Sequence, residues 1–289
     1  MIDYTLLPLA IFKLLCAIIG VIGNTIMLIV VIRTKRFRSP CHILIAITCV
    51  GDAIHVSGQF VFSAHVFMNL TSSQAQCYYM LMIPVIGYTS SVPLILVMGI
   101  DRLIAVKFPI NYRYFQEVPK RYITIQLIYP ICYSLTILWY GYYKRDPDVG
   151  NQITCSNPLA LRDTAFEVFT YSSGIMYIFV FTIYFTVYKL LKHKKASARF
   201  KSFFRSLTLT VTIVACGWVI TTTSNIFAYI FITNENTAIL IKMYSGITVN
   251  AAAASNIFVF YAINAEYREA IKLVFAIQPM TQTTKITIS

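Results

Sequence analysis

The chain has 289 residues, 57 % of them hydrophobic and 12 % charged, and carries a formal net charge of +13. A soluble domain ordinarily carries about 25 % charged residues, so this composition excludes a soluble enzyme. A nucleic-acid binder spreads its basic residues over a polar surface; here they are confined to short gaps between long apolar runs, and the bilayer is the solvent that fits.

Seven runs are long enough to cross about 30 Å of hydrocarbon. The first, residues 6–32, is too long for the apolar stretch of a cleaved signal peptide and follows Asp3 instead of a basic segment, so it reads as a span. Runs 41–68, 77–105, 122–143, 166–191, 207–232 and 237–262 follow, with Lys13, Asp52, His55, His65, Asp101 and Lys242 as ionisable interruptions. The runs are continuous and do not alternate, which predicts an all-α bundle and argues against a β-barrel. Length alone would suit about two soluble domains. Seven spans with short loops instead use up residues 1–289 as a single membrane domain, with no repeat, low-complexity segment or linker. The gap 144–167 is polar, contains Pro147, Gly150 and Pro158, and reads as a loop.

Basic residues concentrate on the cytoplasmic side of membrane proteins. The gap after span 1 holds Arg33, Lys35, Arg36 and Arg38, and the gap after span 3 holds Arg102, Lys107, Arg113, Lys120 and Arg121. Lys189, Lys192, Lys194, Lys195, Arg199, Lys201 and Arg205 follow span 5, and Arg268, Lys272 and Lys285 lie in the tail. The opposite side holds only Lys13, Lys144, Arg145, Arg162 and Lys242. The amino terminus is therefore expected outside and the carboxyl terminus inside.

Of seven cysteines, Cys16, Cys41, Cys49, Cys132 and Cys216 fall within or at the inner ends of spans and read as small apolar packing residues. Cys77 and Cys155 are the two that this topology places in an oxidising compartment, and a bridge between them is expected to pin the long outer loop over span 3. Asn69-Leu70-Thr71 is an acceptor sequence for N-glycosylation on an outer loop.

An ionisable residue inside a span is expensive and usually faces the bundle interior. Asp52 is the clearest case; His55 stands one turn outward on nearly the same face, and Asn24, Ser91 and Asn256 sit at comparable depth. Such a cluster suits interhelical hydrogen bonding as well as it suits a switch or ion site, and both readings stay open. Asp101-Arg102, at the inner end of span 3, is a second charged pair. His42, His55, His65 and His193 are scattered, and no paired aspartates, Ser/His dyad or metal-ligand spacing lies at one depth, so neither a catalytic centre, a cofactor nor a metal is expected.

Several motifs resemble, in order and spacing, the rhodopsin-like G-protein-coupled receptors over essentially the whole chain. They are Gly23-Asn24, Asp52, Cys77 followed 25 residues later by Arg102, the triplet Asp101-Arg102-Leu103, the segment Asn256-Ile257-Phe258-Val259-Phe260, and Glu266-Tyr267-Arg268 with Phe275 in a short amphipathic helix over about 265–276. Departures narrow the resemblance. Leu103 stands for the family's Tyr, Ile257 for the span 7 proline and Ile220 for the proline two residues after Trp218; span 5 has no proline and span 4 lacks the family tryptophan. With the loop Ile32-Arg33-Thr34-Lys35-Arg36-Phe37-Arg38-Ser39-Pro40-Cys41 and the stretch from Gly99 to Pro109, the chain resembles the nematode serpentine chemoreceptors of class SX.

The resemblance implies a multi-pass receptor of the plasma membrane, active in sensory perception, that binds a ligand outside and activates a heterotrimeric G protein inside. Arg102 would be latched to Asp101 at rest and meet the G protein on activation, with Asn256 and Phe260 completing the switch and Asn24, Asp52 and Ser91 its polar core. Gly217 beside Trp218 is the candidate flexible point where the prolines are missing, and the basic gap after span 5 suits an anionic partner or lipid head groups. The position of the amine receptors' aspartate is Pro84 and that of the retinal-linking lysine is Asn250, which disfavours both ligand types. The implied pocket is Val85, Tyr88, Trp218, Thr221, Thr222, Asn225 and Asn250, a lining suited to a small uncharged molecule, with a short peptide as the other class. The alternative from a different class is a proton- or ion-coupled transporter or channel working through Asp52 and His55.

Overall fold

The computed structural model describes residues 5–146, 150, 152–193 and 198–275. Asp3, Pro147, Lys194, Lys195, Ala276 and Lys285, on which parts of the sequence reading fall, lie outside them. In chain order the elements are α1 (Leu7–Arg33), α2 (Pro40–Phe67), β1 (Ser72–Ser73), α3 (Gln74–Lys107), α4 (Pro109–Glu117), α5 (Pro119–Lys144), β2 (Gln152–Ile153), α6 (Asn157–Ala160), α7 (Arg162–His193), α8 (Ala198–Phe231), α9 (Glu235–Ile263) and α10 (Ala265–Phe275). Seven of them, α1, α2, α3, α5, α7, α8 and α9, are long and apolar enough to cross a membrane. Each coincides with one predicted span.

Local chemistry sets the helix ends. Proline opens α1, α2, α4 and α5, where its missing N–H would be unpaired anyway. Ser73 and Gln76 form a reciprocal capping box on α3, and Asn234 Oδ1 accepts from Thr237 N of α9 at 3.2 Å. Pro84 and Pro93 lie inside α3 and Pro130 inside α5 without ending either helix, a tolerance typical of membrane helices packed on neighbours.

The helices form a ring with α3 deepest. α1 packs on α2 and α9, α8 on α9, and α3 on α2, α5 and α7. Close approach of α2 and α3 depends on Gly87: a Cβ there would stand 2.6 Å from the backbone nitrogen of His55 and 2.5 Å from the carbonyl oxygen of Gly51. Large apolar side chains such as Ile22, Ile83, Ile131, Phe179, Ile220 and Phe258 point outward and exposed, the pattern of helices whose outer solvent is lipid.

The two ends of the bundle are built differently. At one, Cys77 and Cys155 are joined in a disulfide, and β1 pairs antiparallel with β2 through Ser72 opposite Ile153 and Ser73 opposite Gln152. Gln74 fastens the same loop, donating to Ala160 O at 2.8 Å and accepting from Asp146 N at 2.8 Å. Asn69 is exposed at this end in the left-handed region, φ 52°, which asparagine tolerates. At the other, basic end, α10 buries Tyr267, Ala270 and Ile271 against the bundle. These two ends are named below as the bridged end and the basic end.

The helices outrun the predicted spans most clearly at the basic end, where α8 begins at Ala198 instead of Leu207 and α3 runs to Lys107 instead of Ala105. Hydropathy marks the hydrocarbon, whereas helical hydrogen bonding continues into the head-group region, where Lys and Arg side chains reach water. The sequence reading left α4, the β1–β2 pair and α6 as loop. Their short polar segments carry no span signal; they are ordered by Pro109, by the disulfide and by contact with α3.

Candidate functional site

At the bridged end a cavity of about 20 Å³, room for about one water, lies among α1, α2, α3, α6, α8 and α9. Lys13, His55, Gln59, Tyr88, Asn157, Thr221 and Asn250 line it, with Phe166 of α7 and Lys242 of α9 at its edge. Beneath it is an aromatic floor. The Tyr88 ring centroid stands 5.0 Å from His55, 4.8 Å from Phe169 and 5.1 Å from Trp218, and Trp218 is also 6.3 Å from Tyr177. Thr221 Oγ1 donates to Ser245 O at 2.8 Å, tying α8 to α9. Gly217 permits the same approach, since a Cβ there would lie 2.9 Å from Thr248 O. A second hollow of similar volume lies between α7, α8 and α9 and shares Phe166 and Lys242 with the first; Asn225 lines it.

Half-way through the bundle four helices, α1, α2, α3 and α9, meet on buried hydrogen bonds. Asn256 Nδ2 donates to Asp52 Oδ2 at 2.7 Å and to Asn24 Oδ1 at 3.0 Å. Ser91 Oγ donates to the other carboxylate oxygen, Asp52 Oδ1, at 3.4 Å, and Asn24 Nδ2 donates to Ala253 O at 3.0 Å. Both oxygens of Asp52 are therefore engaged, by α3 and α9. His55 turns to Tyr88 and the cavity, away from this cluster.

At the basic end Arg102 is buried against its neighbour. Its Nε donates to Asp101 Oδ2 at 2.9 Å, and Nη2 contacts the same oxygen. Nη2 also donates to Tyr112 Oη at 2.6 Å, and Tyr112 Oη in turn donates to Asp101 Oδ2 at 3.3 Å. Tyr112 belongs to α4, whose start at Pro109 aims Tyr112 and Phe115 at one face, against Tyr122 of α5. A phenol is already protonated at neutral pH and burial pushes that of Tyr112 above its ordinary range, so it is a proton donor to the carboxylate. Phe260 packs at a tilt on Tyr267, with centroids 4.8 Å apart; Tyr267 stacks on Phe37 at 4.4 Å, and Phe37 on His42 at 4.7 Å. That aromatic pile joins α9, α10, the α1–α2 loop and α2.

A seven-helix bundle with a bridged third helix, a central aspartate and a buried Asp-Arg pair is a receptor architecture, and the family model for the serpentine type 7TM GPCR chemoreceptor Srsx matches residues 17–275. The chain belongs to the Srsx family. No curated protein matches it. As an Srsx chain it is a chemoreceptor-type, multi-pass membrane protein.

Of the seven pocket positions drawn from the resemblance, Tyr88, Thr221 and Asn250 line the cavity of this Srsx chain, Asn225 lines the neighbouring hollow, and Trp218 lies under Tyr88. Val85 is fully buried and Thr222 half-buried, and neither lines the cavity. Asn24, Asp52, Ser91 and Asn256 come together, as do Asp101 and Arg102, whereas Phe260 packs against the aromatic pile described above. Reading the sequence alone missed Lys13 and Tyr112. Lys13 stands three turns before Asn24 on the face that also carries Ala17 and Gly20, a small and polar stripe that marks it as inward-facing. For Tyr112 the signal is Pro109 at a helix start with aromatics three and six residues on.

Proposed function

We propose that this Srsx protein is a chemosensory receptor whose bridged end faces outward and takes a small molecule, and whose basic end faces the cytoplasm and couples to a heterotrimeric G protein. The closed Asp101–Arg102–Tyr112 triangle carries this reading. It holds an arginine away from solvent at the end richest in cationic loops, in a form that a rotation of neighbouring helices opens, and an exposed Arg102 then offers five donors to an incoming partner. Signal passes from the cavity floor at Tyr88 and Trp218, through the Asp52–Asn256 junction, to Phe260 and the aromatic pile. Each of these elements bonds across at least two helices, so displacement of one helix reaches the next.

Expectation of an uncharged ligand rests on the neutral positions Tyr88, Thr221, Asn225 and Asn250. Lys13 shares that lining, and the charge of the ligand turns on it. The transport reading through Asp52 and His55 draws less support: Asp52 is engaged by Asn256 and Ser91, while His55 contacts Tyr88.

The experiment is nucleotide exchange on a panel of G-protein α subunits, in membranes containing the chain, screened against small volatile and water-soluble molecules with Arg102→Ala alongside. A ligand-dependent exchange abolished in Arg102→Ala is the expected result. An exchange that survives the substitution overturns the role given to Arg102.

A further inference from the structure

Lys13 is 3 % exposed, and its ammonium meets no hydrogen-bond or ion-pair partner among the described residues; its close neighbour is the Phe62 ring, whose centroid lies 4.3 Å from Nζ. Burying an unpaired cation is costly, so it persists where something compensates for it. Two further orphans open on the same cavity. Asn157 is 2 % exposed and both its amide oxygen and its amide nitrogen are without partners among the described residues, while Asn250 donates to Gly246 O at 2.7 Å but leaves Oδ1 unpaired among them. A Cβ placed on Gly246 would stand 3.8 Å from Asn250 Nδ2 and 4.0 Å from Lys13 Nζ, so the lysine and the asparagine border one gap. None of the described residues lining that gap is acidic, and Lys242 adds a second basic side chain. Folded proteins pair nearly all of their buried polar groups. Three side chains with unpaired polar atoms, converging on one cavity, form a recognition site, and its donors and acceptors specify what fits.

We propose that the cavity binds a small hydroxy acid, with one carboxylate oxygen accepting from Lys13 Nζ, the other from Asn157 Nδ2, and the hydroxyl donating to Asn250 Oδ1. The assignment rests on the bridged end being the ligand site, and it replaces the uncharged molecule expected from the sequence by an anion. A ligand ammonium in place of the hydroxyl would stand beside Lys13 and Lys242 and is disfavoured by like charge. The cavity as it stands accepts about one water, so binding displaces the flexible side chains of Met243 and Lys242 at its edge. Through Lys242 and Phe166 the first cavity adjoins the second hollow, where Glu167 disfavours a second anionic group on the ligand.

The test uses the full chain in lipid nanodiscs, with lactate, 2-hydroxybutyrate and 3-hydroxybutyrate as probes, each beside its methyl ester, and with sodium chloride as the inorganic anion. Two quantities are read: the thermal unfolding midpoint, which needs no G protein, and nucleotide exchange, which does. At least one acid is expected to raise the midpoint and its ester to leave it unmoved. Lys13→Met should weaken the apparent affinity tenfold or more while raising the midpoint of the ligand-free protein, because it removes an unpaired buried charge. Gly246→Leu, which places bulk between Lys13 and Asn250, should keep the ligand-free midpoint within a few degrees and abolish the ligand shift. The proposal is overturned if no acid moves the midpoint, if Lys13→Met responds as the unsubstituted chain does, or if its ligand-free midpoint falls, which would make Lys13 structural. A shift produced equally by chloride reduces the site to one for inorganic anions and overturns the hydroxy acid. Acid-dependent stabilisation without exchange leaves the site standing and breaks the receptor reading. Exchange driven by neutral esters, lost in Arg102→Ala and kept in Lys13→Met, does the reverse.

Discussion

The bridged end and the basic end of the bundle treat their buried basic side chains in opposite ways. At the bridged end Lys13, Asn157 and Asn250 expose unpaired polar atoms to a cavity, under a loop fixed by a disulfide and by Gln74. At the basic end the buried charges of Asp101 and Arg102 are closed on each other and on Tyr112, beside the aromatic pile of Phe260, Tyr267, Phe37 and His42, although Asp101 Oδ1 and the Tyr122 and Tyr267 hydroxyls have no hydrogen-bond partner among the described residues. A buried amine without an ion-pair partner can take one from a ligand, whereas a closed ion pair holds a resting state that has to be broken. One end is thus arranged to gain contacts on activation and the other to lose them.

The largest expected effect tests the rigidity of the bridged end. Cys77→Ser or Cys155→Ser opens a link between residues 78 apart in sequence. Loss of a native disulfide typically costs about 2–5 kcal/mol. Both single variants should lose surface expression in cells, or reach the surface without a ligand response, as read by labelling of intact cells and by nucleotide exchange. Normal expression and response in both would show that β1, β2 and Gln74 suffice to hold the loop, and the contrast between a pinned end and a latched end would fail.

A smaller effect of opposite sign is expected at the basic end. Tyr112→Phe removes the hydroxyl that accepts from Arg102 at 2.6 Å and donates to Asp101. Hydrogen bonds to charged groups contribute about 1.5–3 kcal/mol, and part of that here favours the closed triangle. Ligand-free exchange should rise several-fold, with the thermal shift produced by any bridged-end ligand unchanged. Burial holds the Tyr112 phenol above its ordinary range, so the folded protein keeps the proton that the unfolded chain would release as pH rises. Stability contributed by this group is fully present below the ordinary phenol range and declines as pH climbs above it. Basal exchange in the unsubstituted chain should therefore be flat in pH through neutrality; a rise on raising pH from 6 to 8 would point to a different titrating group.

How much of this was legible in the sequence divides along the same line. The spans, the Cys77–Cys155 bridge and the inward cluster around Asp52 follow from hydropathy, compartment and the cost of a charge in hydrocarbon, which are properties of composition and order. Lys13 was counted among the outer basic residues because charge alone does not tell which face of a helix carries it. Its burial depends on where α1 packs against α2 and α9, which the stripe of Ala17, Gly20 and Asn24 encodes only weakly. Tyr112 was hidden for a different reason. A nine-residue amphipathic helix in a loop has no span signal, and its contact with Asp101 is created by a turn at Phe108–Pro109. Val85 and Thr222, taken from family spacing, miss the cavity because spacing fixes depth along a helix but not small rotations about its axis.

The smallest effect asks whether the two ends are separable. Asn264 Oδ1 caps α10 by accepting from Glu266 N at 3.0 Å and Tyr267 N at 3.3 Å, which seats Tyr267 between Phe260 and Phe37. Replacing a helix cap by alanine costs about 1 kcal/mol, equivalent to a factor of roughly five in an equilibrium. Asn264→Ala should therefore lower maximal ligand-driven exchange by a few-fold, because a frayed α10 no longer holds the aromatic pile that carries displacement of α9. Asn264→Asp keeps an acceptor at the cap and should restore most of it. The cavity lies at the far end of the bundle and shares no side chain with this cap, so the ligand concentration giving half-maximal thermal stabilisation should stay the same in all three proteins. If that concentration moves together with the exchange, the two ends do not act as independent bodies joined by a switch. The Asp52–Asn256 junction would then have to be read as a rigid strut that sets cavity shape and coupling surface at once.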